Sequence, residues 1–234
     1  MLEELLNVGF GELGLPLDSL ALSRYRTYYE YLTEINQVMN LTAISGEEDV
    51  ARLHFLDCAA LLKLAEFPGK RVIDVGTGAG FPGMALKIAC PDIELTLLDS
   101  LDKRVKFLRE LCGKLGIDDI TCLHARAEEA PKAMRESFDI AVSRAVARLN
   151  LLSELCLPFV KVGGLFIAMK GPEAEEEIQE AKRAVAILGG KIEQVTKYAI
   201  PGADVTHSAV LIRKVSPTPQ KYPRRWALIK SKPL

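Results

Sequence analysis

The chain has 234 residues, 49% of them apolar and 26% charged, with a formal net charge of −1. That size and balance suit one large globular domain, or one domain with an extension, and exclude a disordered or fibrous chain. No apolar run reaches the length of a membrane span, and Met1-Leu2-Glu3-Glu4 lacks the cationic opening of a signal peptide, so a cytoplasmic chain without membrane contact is expected.

Residues 17–39 read as a helix, with Tyr25, Tyr28, Tyr29 and Leu32 at helical spacing as a packing face. A second helix is expected over 47–65, with Leu53, Leu56, Ala60 and Leu64 on one side. From Arg71 short apolar runs alternate with helical stretches. The expected strands are 71–75, 94–98, 121–124, 138–142, 164–169, 191–198 and 207–213; the expected helices are 83–89, 103–115, 128–135, 149–160 and 173–188. Alternating β and α elements predict a parallel sheet covered by helices on both faces. The last two strands have no helix between them, which predicts an antiparallel strand at the end. The acidic run Glu173 to Glu177 falls in a helix's first turn, where the dipole explains it. The tail with Pro217, Pro219 and Pro223 reads as irregular. From Val205 onward there are seven cations and no acid, leaving 23 cations against 31 acids in the rest. Such a tail serves either solubility or contact with a polyanion.

The segment Val72-Ile73-Asp74-Val75-Gly76-Thr77-Gly78-Ala79-Gly80-Phe81-Pro82-Gly83 carries the strongest signal. Glycines let the backbone turn sharply and approach a ligand, and free N–H groups at a strand-to-helix turn favour an electron-rich group. Gly78 to Gly83 also matches the dinucleotide pattern G-x-G-x-x-G. Asp74 opposes a pyrophosphate there. It suits a neutral or cationic ligand, or a structural role holding the loop's N–H groups. Ligands of open parallel sheets bind beyond the carboxyl ends of the strands, and the next three ends carry Asp99-Ser100, Arg126-Ala127-Glu128 and Ser143-Arg144. The five cysteines contain no C-x-x-C pair and read as reduced, mostly buried residues, with no metal site.

Asn40-Leu41-Thr42, His54-Phe55-Leu56-Asp57, Asp74 to Gly83, Asp99-Ser100, Arg126-Ala127-Glu128, Ser143-Arg144-Ala145-Val146, Met169-Lys170-Gly171 and Thr218-Pro219-x-x-Tyr222-Pro223-Arg224-Arg225 occur in one order. Together they resemble the RsmG, or GidB, family of small-subunit ribosomal RNA guanine-N7 methyltransferases, over about residues 20–234. The chain departs from that pattern at Trp226-Ala227-Leu228-Ile229.

The resemblance implies a class I S-adenosylmethionine-dependent methyltransferase (Rossmann-like) α/β fold. Its mostly parallel seven-stranded sheet would include an antiparallel strand and carry an N-terminal helical extension. The division expected is 1–66 for the extension, 67–214 for the core and 215–234 for the basic tail. The implied cofactor is S-adenosylmethionine, lined by Gly76, Gly78, Phe81, Asp99, Ser100, Ala127, Glu128 and Arg144. The implied substrate is 16S rRNA, in the small subunit or its assembly intermediate, at guanine 527; the protein is expected to be a monomer. Arg144, Arg126, His54 and Asn40 are the candidate catalytic residues. Arg126 reads equally as an RNA contact or a surface ion pair, and His54 as a packing residue or a site residue. Asp57 could cap or brace its helix. The residues alone leave two other functions open: a nicotinamide-dependent oxidoreductase and a non-catalytic RNA-binding module.

Overall fold

A computed structural model describes residues 1–144, 147–172 and 174–234. Ala145 and Val146 of the Ser143–Val146 motif, and Glu173 at the expected helix start, lie outside the described residues.

Seven strands form one sheet among the described residues: β1 (Arg71–Val75), β2 (Glu94–Asp99), β3 (Thr121–His124), β4 (Phe138–Arg144), β5 (Val160–Lys170), β6 (Gly190–Ala199) and β7 (Thr206–Lys214), in the order β3-β2-β1-β4-β5-β7-β6. β1 to β5 pair in parallel, and β7 is antiparallel to both β5 and β6. The expected antiparallel strand is therefore present, lying one place in from the edge rather than at it. Strand order reverses beside β1, between β2 and β4, and such a switch point opens a crevice beyond the strand ends.

Strand residues alternate between two apolar clusters, as the period of two requires. Val72, Leu97, Ile140, Leu165 and Ile167 face one cluster; Ile73, Leu98, Ala141, Phe166 and Ala168 face the other. The first is covered by helices Leu2–Glu12 and Ser19–Met39, the helical segment 47–63, and helices Gly83–Ala89 and Asp102–Leu115; the second by helices Leu149–Cys156, Glu175–Ile187 and Trp226–Ser231. Residues 1–66 thus share a core with the sheet. The tyrosine stripe packs as expected: Tyr25 and Tyr28 are fully buried, and their hydroxyls donate to the Ala85 and Ala79 carbonyls at 2.7 and 2.6 Å.

Four expectations need correction. Helix Leu2–Glu12 had no reading in the sequence. The segment 47–63 is not a regular helix: it widens into a π-helical turn over Ala51–Leu56 and tightens into a 3-10 turn over Ala60–Lys63. The extra residue of a π turn rotates the faces, so His54, Phe55 and Asp57 are buried while Leu53 and Leu64 are only partly so. The helix expected over 128–135 is two short 3-10 turns, Ala127–Glu129 and Lys132–Met134, separated at Pro131, which has no N–H to continue a helix.

The fourth concerns the tail: residues 215–225 are irregular, as expected, but they are packed and lead into the helix Trp226–Ser231. Thr218 and Tyr222 are buried, and Lys214 Nζ donates to the Leu157 carbonyl and Thr218 Oγ1, both at 2.7 Å, beside Glu136 at 3.0 Å. Arg224 Nη2 meets the buried Glu154 carboxylate at 2.6 Å.

Candidate active site

The glycine loop follows β1 at the switch point. Gly76, Gly78 and Gly80 have φ of 72°, 61° and 101°, a region that side chains with a Cβ avoid. At Gly80 a Cβ would also stand 2.6 Å from the Tyr28 hydroxyl. Apart from that of Ala79, the loop's N–H groups are not left open for a phosphate. Those of Gly76 and Thr77 donate to the Leu98 carbonyl, those of Gly80 and Phe81 to the Thr77 carbonyl, and that of Met84 to the Gly80 carbonyl. Gly78 N–H donates to Asp99 Oδ2 at 2.9 Å, and Gly83 N–H to Asp74 Oδ2 at 2.8 Å. A pyrophosphate cradle needs those donors, so the dinucleotide reading of the pattern fails.

Asp74 has the structural role. It is fully buried, its Oδ2 also accepts from Thr77 Oγ1 at 2.7 Å, and Oδ1 has no partner among the described residues. Burial pushes its carboxyl up to about 7, despite the two hydrogen bonds that favour the charged form.

Two cavities meet along this edge. One of about 420 Å³ is lined by Thr42, His54, Gly78, Phe81, Arg104 and Arg144. The other, about 130 Å³, is lined by Leu98, Ala127, Glu128, Leu155 and Trp226. Gly76, Asp99 and Ser100 line both, so the two form one trough across the ends of β1 and β2. Asp99 Oδ1 accepts from Leu101 N–H at 2.9 Å. Oδ2 also accepts from Arg104 Nη1 at 3.4 Å, so Oδ1 is the oxygen that holds a single donor and keeps a second lone pair for hydroxyl groups. A third cavity, about 540 Å³ and mostly apolar, opens on the other side of Arg144 between Ile44, Leu53, Met169, Lys170 and His207.

Arg144, at the end of β4, stands between the cavities. Its Nη1 donates to the Leu53 carbonyl at 3.1 Å and lies 3.4 Å from Asp57 Oδ2; its Nη2 donates to His54 Nδ1 at 2.8 Å. Its guanidinium lies 4.8 Å from the Phe81 ring centroid, and that ring stacks on His54 at 4.3 Å. Nδ1 also stands 3.1 Å from the Leu53 carbonyl, but its nearer partner Arg144 can only donate, so Nδ1 is unprotonated and Nε2 carries the proton that is donated to Thr42 Oγ1 at 2.9 Å. Burial, and then the Arg144 charge, push the imidazole down to about 3. Asp57 is buried and accepts from Tyr198 Oη at 2.8 Å and His207 Nδ1 at 2.9 Å. Its carboxylate raises the His207 imidazole above the usual value.

The structure therefore brings Arg144, His54 and Phe81 together, and places Gly76, Gly78, Asp99, Ser100, Ala127 and Glu128 along the trough. Arg126 is partly exposed and forms an ion pair: its Nε donates to Glu128 Oε1 at 2.6 Å and its guanidinium lies 5.8 Å from the Trp226 ring. Asn40 is exposed at the end of helix Ser19–Met39, in the left-handed conformation asparagine tolerates; its neighbours Leu41 and Thr42 are the ones that reach the trough. Sequence reasoning missed Tyr198 and His207, which arrive from β6 and β7 and carry no local pattern. The His54–Asp57 spacing was the one visible trace of that network.

A switch-point trough and a mostly parallel sheet with one inserted antiparallel strand define the class I methyltransferase fold. Among solved structures, a methyltransferase from Pyrococcus furiosus matches with a TM-score of 0.56 at 14% identity, over 82% of this chain and 99% of that one. A SAM-dependent methyltransferase from Aquifex aeolicus matches at 0.54 and 21% identity, over 70% and 93%. The family model GidB, described as rRNA small subunit methyltransferase G, matches residues 21–205. The ribosomal RNA small subunit methyltransferase G of Alkaliphilus metalliredigens is 47% identical over 233 residues, 98% of each chain. This chain belongs to the rRNA small subunit methyltransferase G family.

Proposed function

We infer that the chain binds S-adenosylmethionine and methylates N7 of a guanine in the 16S rRNA of the small ribosomal subunit, guanine 527 by family resemblance. The observation that carries this reading is that the titratable side chains around the trough are already engaged. His54 is neutral, with Arg144 on one nitrogen and Thr42 on the other. Asp99 holds the Gly78 and Leu101 amides, Glu128 holds Arg126, and Asp57 holds Tyr198 and His207. A nucleophile that had to lose a proton would need one of them as a base. Guanine N7 carries a lone pair and no proton, so it needs none.

Bound S-adenosylmethionine supplies an electrophilic methyl group on a sulfonium. Gly76, Gly78 and Phe81 would face its methionine part, Asp99 and Ser100 its ribose hydroxyls, and Ala127 and Glu128 its adenine. The residues fit such a ligand: the loop spends its amides internally, so it offers close backbone approach without demanding a phosphate. Arg144 presents donors suited to guanine O6, the acceptor beside N7, and the contacts to Leu53, His54 and Phe81 keep its fork from swinging. Alignment of nucleophile, methyl and leaving sulfur then carries the rate. Lys221, Arg225, Lys230 and Lys232 are exposed on the tail and supply phosphate contacts that weaken with salt.

The test is methyl transfer from S-adenosylmethionine to unmethylated 16S rRNA, offered naked, in the small subunit and in an assembly intermediate, with the product mapped by nucleotide. N7-methylguanine at guanine 527 is expected. Its absence from all three substrates, with protein that binds the cofactor, would overturn the reading.

A further inference from the structure

We propose that Trp226 is a cofactor-binding residue that walls the adenine end of the trough. The assignment rests on the S-adenosylmethionine reading above. Trp226 opens helix Trp226–Ser231 and lines the 130 Å³ cavity opposite Leu98, Ala127 and Leu155. It is only partly buried, so one part of the indole packs while another stays open to the cavity.

Its position is held from both sides in the chain. Two residues earlier, the Arg224 backbone N–H and Nε both donate at 2.8 Å to Oε1 of Glu154, a residue of helix Leu149–Cys156. Arg135 donates to the Tyr222 and Thr218 carbonyls at 2.7 and 2.6 Å. Three residues later, Ile229 is fully buried in the second cluster. A tail tied at these points presents Trp226 as a fixed wall. Arg126 lies over the indole and is steered by Glu128, which makes it a positioning residue for the wall.

A purine has two flat apolar faces and a polar edge. The indole and the Leu98–Leu155 side chains offer surfaces for the faces, and Glu128 a carboxylate near the edge. Base-on-aromatic stacking is tolerant of base identity and contributes strongly to binding.

Trp226 is the chain's single tryptophan, so its fluorescence reports this site alone when tyrosine is not excited. Titration of the wild-type protein with S-adenosylmethionine, and separately with adenosine, is expected to change the emission saturably, with a midpoint matching the Kd from calorimetry. Methionine alone is expected to leave the emission unchanged. Trp226→Ala is expected to weaken S-adenosylmethionine binding about tenfold or more, and Trp226→Phe to restore most of it; circular dichroism of both variants checks folding. Calorimetric binding without a fluorescence change, and with equal Kd for wild type and Trp226→Ala, would make Trp226 a packing residue and overturn the proposal. So would quenching by methionine alone. A wild-type protein that binds no S-adenosylmethionine would overturn the cofactor reading itself, and this assignment with it.

Discussion

Asp74 holds the glycine loop together at a cost that depends on pH, and Asp74→Asn separates the two effects. The carboxyl titrates near 7 in the fold, against 3.8 ordinarily, because burial disfavours its charged form. A carboxyl raised in this way contributes most stability below the unfolded value, and that contribution is lost as pH rises through the folded value. The full loss is about 4 kcal/mol, of which about 2–3 kcal/mol falls between pH 5 and pH 8. Asparagine keeps an oxygen where Oδ2 accepts from Thr77 and Gly83. Its NH2 takes the place of Oδ1, which has no partner among the described residues. That unpaired group costs about 1–3 kcal/mol at every pH. Near parity with wild type is therefore expected at pH 5, and a variant more stable by about 1–3 kcal/mol at pH 8. Urea unfolding of both proteins at both pH values gives the double difference, from which every other titrating group cancels. Parallel pH profiles for the two proteins would refute the argument.

Arg144→Ala is expected to lower the turnover of methyl transfer to 16S rRNA by about a hundredfold, in line with misplacement of a reacting group. Arg144→Lys should recover little, since lysine lacks the planar fork; single-turnover assays on the small subunit measure both. Asp57→Asn removes the carboxylate that raises His207. A raised histidine stabilises the fold below its unfolded value and loses that contribution as pH rises through its folded value. The wild-type advantage in thermal unfolding over Asp57→Asn is thus expected to be larger at pH 6 than at pH 9. Gly83→Ala puts a Cβ 2.7 Å from Leu97 Cδ2 and 2.9 Å from Asp74 Oδ2. A destabilisation of about 1–3 kcal/mol is expected from this overpacking, read by urea unfolding, together with weaker S-adenosylmethionine binding in calorimetry.

The central strands were legible because each is a short apolar run most of whose residues face a core, on one side or the other. Arg71–Val75 matches expectation residue for residue, and so does the edge strand Thr121–His124, although none of its residues is buried. The strand-end residues followed from them, since a parallel sheet delivers every carboxyl end to the same edge. Asp99, Ala127, Glu128 and Arg144 could thus be assigned to one site without coordinates. The segment 47–63 was misread because periodicity reasoning assumes 3.6 residues per turn, and a π turn breaks that rhythm with no signal in residue type.

What the chain's own order of residues determined was the sheet, the glycine loop and the edge on which the site lies, because these depend on local pattern and on connection rules. Tertiary structure alone decided how the charges are used. Arg224 and Glu154 are 70 residues apart and form one part-buried pair. Tyr198 and His207 reach Asp57 across 141 and 150 residues. Whether the loop's amides face a phosphate or its own carboxylates was likewise settled only by packing, through Asp74 and Asp99. A charge or an N–H group has the same identity in sequence whether paired or free. Its role is set by what the fold brings within three ångströms of it.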